Sequence, residues 1–465
     1  MEKLFKLKDH GTTVKMEFVA GLTTFVTMAY VIFVNPSVLG GTGMDTGAVF
    51  VATILAAVIG TLVMGLYANV PYAQAPGMGL NAFFTYTVCG ALGFNWRQAL
   101  AIVFICGVIN IIITATRIRK MLIDAIPETL QYAISGGIGL FIAYIGIKQA
   151  HFLNFTSESQ NITATLPGGS VVAKDVVPAI VNFTDPVSQL ALIGLVITVV
   201  LMLKNVKGAI LLGIISTTVL GLFIGNVTPR PDLSLANFIP PSITPTLFKL
   251  DLVGLFSDPS KIFIVLSTVL AFSLSDTFDT IGTFLGTGRK TGIFDEKDEA
   301  ELHKSKGIKS KMDKALFADA IATSLGSLLG TSNTTTYVES AAGISAGGRT
   351  GLTSVFTAMF FLLALVLAPF AGMVTSAATA PALIVVGVLM MESITKVKWE
   401  EFEEAAAAFF TAVIMPFTYS ISNGVAAGFL FYIISKVARG KAKEVHPLLY
   451  IVTLLFVADF VFRAF

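Results

Sequence analysis

Charge is what this chain of 465 residues has least of. Asp, Glu, Lys and Arg make up 13% of it, about half of the roughly 25% usual in soluble domains. Cysteine is nearly absent as well: Cys89 and Cys106 both lie in apolar segments, which excludes a disulfide framework and a cysteine zinc site. The four histidines, His10, His151, His303 and His446, are scattered outside those segments, so neither a metal centre nor a cofactor is expected. A net charge of +2 offers no general attraction to nucleic acid.

Apolar surface is abundant instead. Hydrophobic residues are 54% of the chain, Phe alone numbers 37, and mean hydropathy is +0.81. A soluble domain could not hide so much, and the composition predicts an all-α polytopic membrane protein. A bilayer span needs about 20 apolar residues. The candidates are 17–38, 47–69, 96–115, 129–148, 187–203, 208–226, 260–285, 312–329, 351–371, 376–392, 402–418 and 421–438. Two further segments, 77–92 and 335–348, are shorter and rich in Gly, Ser and Thr. If extended chain completes each of these, the crossings number fourteen. The apolar stretch 446–462, with Asp459, is read either as a further span or as an interfacial segment.

Basic residues orient these crossings. The run Met1 to Lys15 carries four lysines and no cleavable signal, and reads as a cytoplasmic lead-in. Arg117, Arg119 and Lys120, then Lys204 and Lys207, Lys396 and Lys398, Arg439, Lys441 and Lys443, and the charged loop 287–311 then all fall inside. The outer loops 149–186 and 227–258 are nearly free of Lys and Arg, as the positive-inside rule requires. The three Asn-x-Ser/Thr matches in 149–186 are weak acceptor sites.

Seven crossings precede the 227–258 loop and seven follow. An odd number per half inverts one half relative to the other. The short segment is third in each half, a sequence pointer to a transporter site. The fifth crossings match too: Ile134-Ser135-Gly136-Gly137-Ile138-Gly139 stands against Val385-Val386-Gly387-Val388.

The first broken crossing reads Pro71-Tyr72-Ala73-Gln74-Ala75-Pro76-Gly77-Met78-Gly79. It predicts extended chain to Ala75 and a half-helix from Gly77, because Pro76 suits a first helical turn. The second, Thr331-Ser332-Asn333-Thr334-Thr335-Thr336-Tyr337-Val338-Glu339-Ser340, predicts extended chain through Thr334 and then a half-helix running to Gly347-Gly348-Arg349. Irregular backbone at membrane depth is tolerated where it lines a cavity. Carboxylates there are functional candidates: Asp276 and Asp279, three apart on the eighth crossing, Asp319 on the ninth and Glu339 on the tenth. All four are proton-coupling candidates. Tyr337 and Phe83, beside Phe84, are stacking candidates for a flat ligand; Thr24, Thr27 and Tyr30 form a polar stripe on the first crossing. Arg349 is expected to cap the half-helix or anchor the inner interface and not to bind substrate.

At these residues the chain resembles the nucleobase–cation symporter family 2, in its branch of guanine, hypoxanthine and adenine permeases. The resemblance rests on Gly21-Leu22-Thr23-Thr24-Phe25 through Val34-Asn35-Pro36, Ala75 through Phe84, Ser275 through Thr283, and Gly330 through Thr350. It implies fourteen crossings in two inverted sevens, with the third and tenth discontinuous. It implies a core domain (1–116 and 227–350, continuing to 371), a gate domain (117–226 and 372–445) and the C-terminal segment 446–465. It implies proton-coupled purine uptake by sliding of core against gate, a homodimer through the gate, and residence in the cell membrane with the N-terminus cytoplasmic. The family's substrate acids map to Asp276 and Glu339, its aromatic to Tyr337 and its third-crossing polar residue to Asn81. Phe83, Val338 and Thr27 complete the expected substrate set. One departure matters: Glu339 is followed by Ser340-Ala341-Ala342-Gly343, where the xanthine and urate branch has Asn-x-Gly. That disfavours xanthine and urate, and uracil less so.

The leading reading is therefore a proton–purine symporter and not an enzyme. Its alternatives are an anion or uracil transporter of the same fold and, more remotely, an intramembrane aspartyl protease. An anion carrier needs positive charge where this chain has carboxylates, and the protease motifs around paired Asp residues are missing.

Overall fold

The computed structural model describes residues 2–116, 125–157, 162–165, 171–173, 177–225, 227–230, 238–284, 293–294, 308 and 310–464. The basic run 117–120 and most of the 287–311 loop lie outside them, as do the side chains of Phe278 and Asp459.

Helix dominates because lipid cannot satisfy backbone polar groups. Each of the fourteen expected segments holds a helical element. Nine helical stretches among the described residues are long and apolar enough to cross a membrane by themselves. Local signals set their starts: Asp45 accepts from Ala48 N–H at 2.7 Å, and Asn95 with Gln98 forms a capping box. Lys311–Leu329 is less apolar, yet it needs no lipid-facing surface, since its Ala, Ser, Thr and Asp face is buried in the bundle.

The first crossing comes in two pieces, Val14–Met28 and Val31–Gly40, with Ala29 and Tyr30 between them. Pro36 has no N–H to offer Ile32. The chain before it tightens, with Ile32 N donating to Ala29 O and Phe33 N to Tyr30 O, both at 3.1 Å.

The two broken crossings meet. Gln74–Pro76 pairs antiparallel with Thr334–Thr336, in the register Gln74–Thr336, Ala75–Thr335 and Pro76–Thr334. Gly77 N to Asn333 O and Tyr337 N to Ala73 O, both 3.0 Å, close the ladder. From this buried ribbon the half-helices leave in opposite senses. Met78–Ala82 starts at Gly77 and continues through wide turns over Phe83–Ala91. Ser340–Ser345 starts later than the sequence predicts. Extended chain runs through Thr336 because β-branched threonines suit a ladder and pairing satisfies their N–H groups. Tyr337, Val338 and Glu339 form the turn.

The matched fifth crossings also meet, as Glu128–Gln149 packs on Ser376–Met390. A Cβ on Gly139 would lie 2.7 Å from Gly387 O, and one on Gly387 would lie 2.5 Å from Gly139 O. Equivalent residues touching each other in this way are what an internal two-fold relation produces. At the C-terminus Pro447–Ala464 is helical, with Leu449, Val452 and Phe456 buried and Phe456 edge-on to Phe429 at 6.2 Å.

Candidate functional site

A cleft lies between the paired ribbon, the end of Ile262–Thr283, and the helices Glu128–Gln149 and Ser376–Met390. Two adjoining hollows share Gly77, Gly79, Asp279 and Met390. One extends to Gln131, Ser135 and Ile138, the other to Tyr30, Thr336, Tyr337, Val338 and Glu339. Among the described residues no Lys or Arg lines either one.

Four carboxylates were expected at membrane depth, and the fold separates them. Asp279 and Glu339 are half-buried and line the cleft. Asp276 does not reach it. Three residues advance a helix by about 300° and 4.5 Å, and that displacement puts Asp276 behind the wall, fully buried. Its Oδ2 accepts from Asn110 Nδ2 at 3.1 Å and Thr323 Oγ1 at 3.2 Å. Ser273 donates to Asn110 Oδ1 in turn. Asp276, expected among the ligand acids, thus lies behind the cleft wall in this structure, and Asp279 takes the place on the cleft. Asp319 is buried too. Its Oδ1 accepts from Gln74 Nε2 at 3.1 Å, Thr280 Oγ1 at 3.0 Å and Thr336 Oγ1 at 2.8 Å, which ties both strands to two helices.

The remaining expected residues divide in the same way. Tyr337 lines the cleft and anchors its hydroxyl on Pro76 O at 2.6 Å. Val338 is 57% exposed and offers an apolar edge to the cleft. Asn81 is buried beside the cleft, and its Oδ1 accepts from Ser332, so it joins the two broken crossings. Phe83 is fully buried against Phe272, with ring centroids 4.4 Å apart, and is core, not cleft wall. Thr27 bonds back to Thr24 O at 2.8 Å and reaches Glu339 O at 3.5 Å. Arg349 caps as expected, donating to Ile344 O at 2.6 Å and Gly348 O at 2.7 Å.

Sequence reasoning missed several residues. Tyr30, noted there only as part of a polar stripe, donates to Glu339 Oε1 at 2.7 Å. Gln74, Asn110, Thr280 and Thr323 hold the buried acids; a polar side chain inside an apolar run was the available signal for each. Glu17 was also missed. It is fully buried and accepts from Arg349 N at 3.0 Å, Thr353 N at 3.0 Å and Thr353 Oγ1 at 2.5 Å. It thereby caps the start of Gly351–Leu363.

At the far end of the first half-helix an aromatic knot joins the two sides of the cleft. Gln149 bonds to Tyr86. Tyr86 meets Tyr419 at 5.6 Å, Thr87 donates to Tyr419 O at 3.3 Å, and the Lys148 ammonium sits 4.9 Å from the Tyr419 ring.

Comparison with known proteins places the chain among permeases. A model described as permease family matches residues 15–427. The chain is 40% identical to adenine permease AdeP of Escherichia coli (strain K12) over 463 residues, 99% of this chain and 96% of that one. It is 39% identical to guanine/hypoxanthine permease PbuO of Bacillus subtilis (strain 168) over 463 residues, 97% and 98% of the two chains. Among solved structures it is similar to the transmembrane domain of the cyanobacterial bicarbonate transporter BicA. The TM-score is 0.59 at 17% identity, over 91% of this chain and 96% of that one, a likeness of fold.

Proposed function

The chain belongs to the nucleobase–cation symporter family 2, the permease family matched over residues 15–427, and on that ground we propose that it takes up purine nucleobases in symport with protons. The observation that carries the reading is the pair Asp279 and Glu339 on one cleft beside the Tyr337 ring. Two acceptors and a flat aromatic face suit a planar heterocycle with N–H donors at its edges, and relatives 40% and 39% identical are named for adenine and for guanine and hypoxanthine. Asp279 and Glu339 receive the ligand's N–H groups and Tyr337 stacks on its face. Asp276 and Asp319 stand behind them as buried acids, and the proton is carried among these four. Among the described residues no basic side chain lines the cleft beside Asp279 and Glu339, and a buried unpaired charge is costly, so uptake of a proton with the ligand lowers the cost of crossing.

In this reading the core (1–116 and 227–371) slides against the gate (117–226 and 372–445), within the cell membrane, with the N-terminus cytoplasmic and two copies joined through their gates. The knot at Tyr86, Gln149 and Tyr419 then closes the outer side, and the cleft reaches Gln131 toward the inner side. The BicA-like fold brings an anion carrier to mind, but a cleft with two carboxylates and, among the described residues, no cation disfavours anions. The test is thermal stabilisation of the purified protein by adenine, guanine, hypoxanthine, uracil and bicarbonate at two pH values. Stabilisation by a purine, dependent on pH, is expected; stabilisation by bicarbonate alone would refute the reading.

A further inference from the structure

We infer that Tyr30 is a positioning residue for Glu339, and that it makes this end of the cleft select ligands presenting an N–H; the inference rests on the nucleobase reading above. The break in the first crossing sets the Tyr30 phenol, 1% exposed, into the cleft wall. Its O–H donates to Glu339 Oε1 at 2.7 Å. One turn earlier, the Thr27 hydroxyl lies 3.5 Å from the Glu339 carbonyl oxygen, so the first crossing holds both ends of this residue.

The approach is close by construction. A Cβ on Gly343, in the half-helix that follows Glu339, would stand 2.0 Å from Thr24 Oγ1 and 2.6 Å from Ala20 O. Only glycine lets the half-helix seat here. The Tyr30 ring is itself held 6.4 Å from Tyr337, whose hydroxyl is fixed on Pro76 O.

Glu339 therefore does not swing freely. Oε1 is occupied by an O–H donor, and in this proposal Oε2 receives the ligand. An ionised carboxylate only accepts, so an N–H approaching Oε2 is received and a carbonyl or N-methyl group is refused. Refusal of this kind discriminates strongly, because the unmatched polar group stays buried and unpaired.

The test is equilibrium binding of adenine, guanine and their ring N-methylated analogues to the purified full-length protein. Tyr30→Phe keeps the ring and removes only the donor. It should weaken purine binding about tenfold, the loss expected for one hydrogen bond to a charged group. It should narrow discrimination against the methylated analogue. Glu339→Gln should show the same loss of discrimination, and the double variant should lose nothing further, since the tyrosine acts through the carboxylate. Unchanged binding in Tyr30→Phe, equal weakening of purine and methylated analogue, or additive losses in the double variant would overturn the inference. A wild-type protein that binds no nucleobase would instead overturn the functional reading on which it rests.

Discussion

At the scale of residues, position relative to the cleft decides what each acid does. Asp279 and Asp276 are three residues apart on one helix, yet only Asp279 faces the cleft, while Asp276 is enclosed by Asn110 and Thr323. Asp279→Asn should therefore raise the KM for purine uptake at least about tenfold, the cost of a lost charged hydrogen bond. Asp276→Asn should spare purine affinity and lower the melting temperature, because Asn110 and Thr323 lose a charged acceptor. Equal loss of affinity in the two variants would contradict this division. Asp319 is a brace in the same sense. Asp319→Ala removes the acceptor shared by Gln74, Thr280 and Thr336, and a buried donor left unsatisfied costs about 1–3 kcal/mol. Its expected signature is a protein that is extracted from membranes poorly folded, read by size-exclusion chromatography.

At the scale of elements, the repeat is carried by contacts between equivalent parts. The two broken crossings share a ladder, and the fifth crossings of each half pack backbone to backbone at Gly139 and Gly387. A methyl group at either glycine meets a carbonyl oxygen closer than van der Waals contact allows. Gly387→Ala should cost about 1–3 kcal/mol by overpacking, seen as a drop in melting temperature, whereas Gly372→Ala, which meets nothing within 4 Å, should leave it unchanged. The short segments, the proline breaks and the glycine matches were legible in the sequence. The two extra extended residues at Thr335 and Thr336 were not, because the strand they join lies some 260 residues away in the chain.

At the scale of the whole molecule, alternation requires contacts that can part. The knot of Tyr86 and Thr87 with Gln149 and Tyr419 joins a broken crossing to helices on the other side of the cleft. Cysteines introduced at positions 86 and 149, in a chain with Cys89 and Cys106 replaced by Ala, should allow a short bis-maleimide to join them. Transport should stop on cross-linking while purine binding from the inner side persists. Transport that continues after complete cross-linking would show that these two elements need not separate. The proton-coupled reading adds that collapse of the pH gradient by an uncoupler should abolish concentrative uptake, with facilitated equilibration remaining.

By itself the sequence determined the class of solvent, the phase of apolar segments, the places where helices must break, and the small set of acids at membrane depth. These follow from local chemistry: hydropathy, missing proline N–H groups and the cost of charge in lipid. Which acid meets a ligand was decided only by tertiary structure. Helical spacing fixes a residue's angle about its own axis, but what lies at that angle is set by helices far away in the chain. Tyr30 reaches Glu339 across 309 residues, and Asn110 reaches Asp276 across 166. No local pattern encodes such meetings, since they arise from the packing of one half of the molecule against its inverted counterpart.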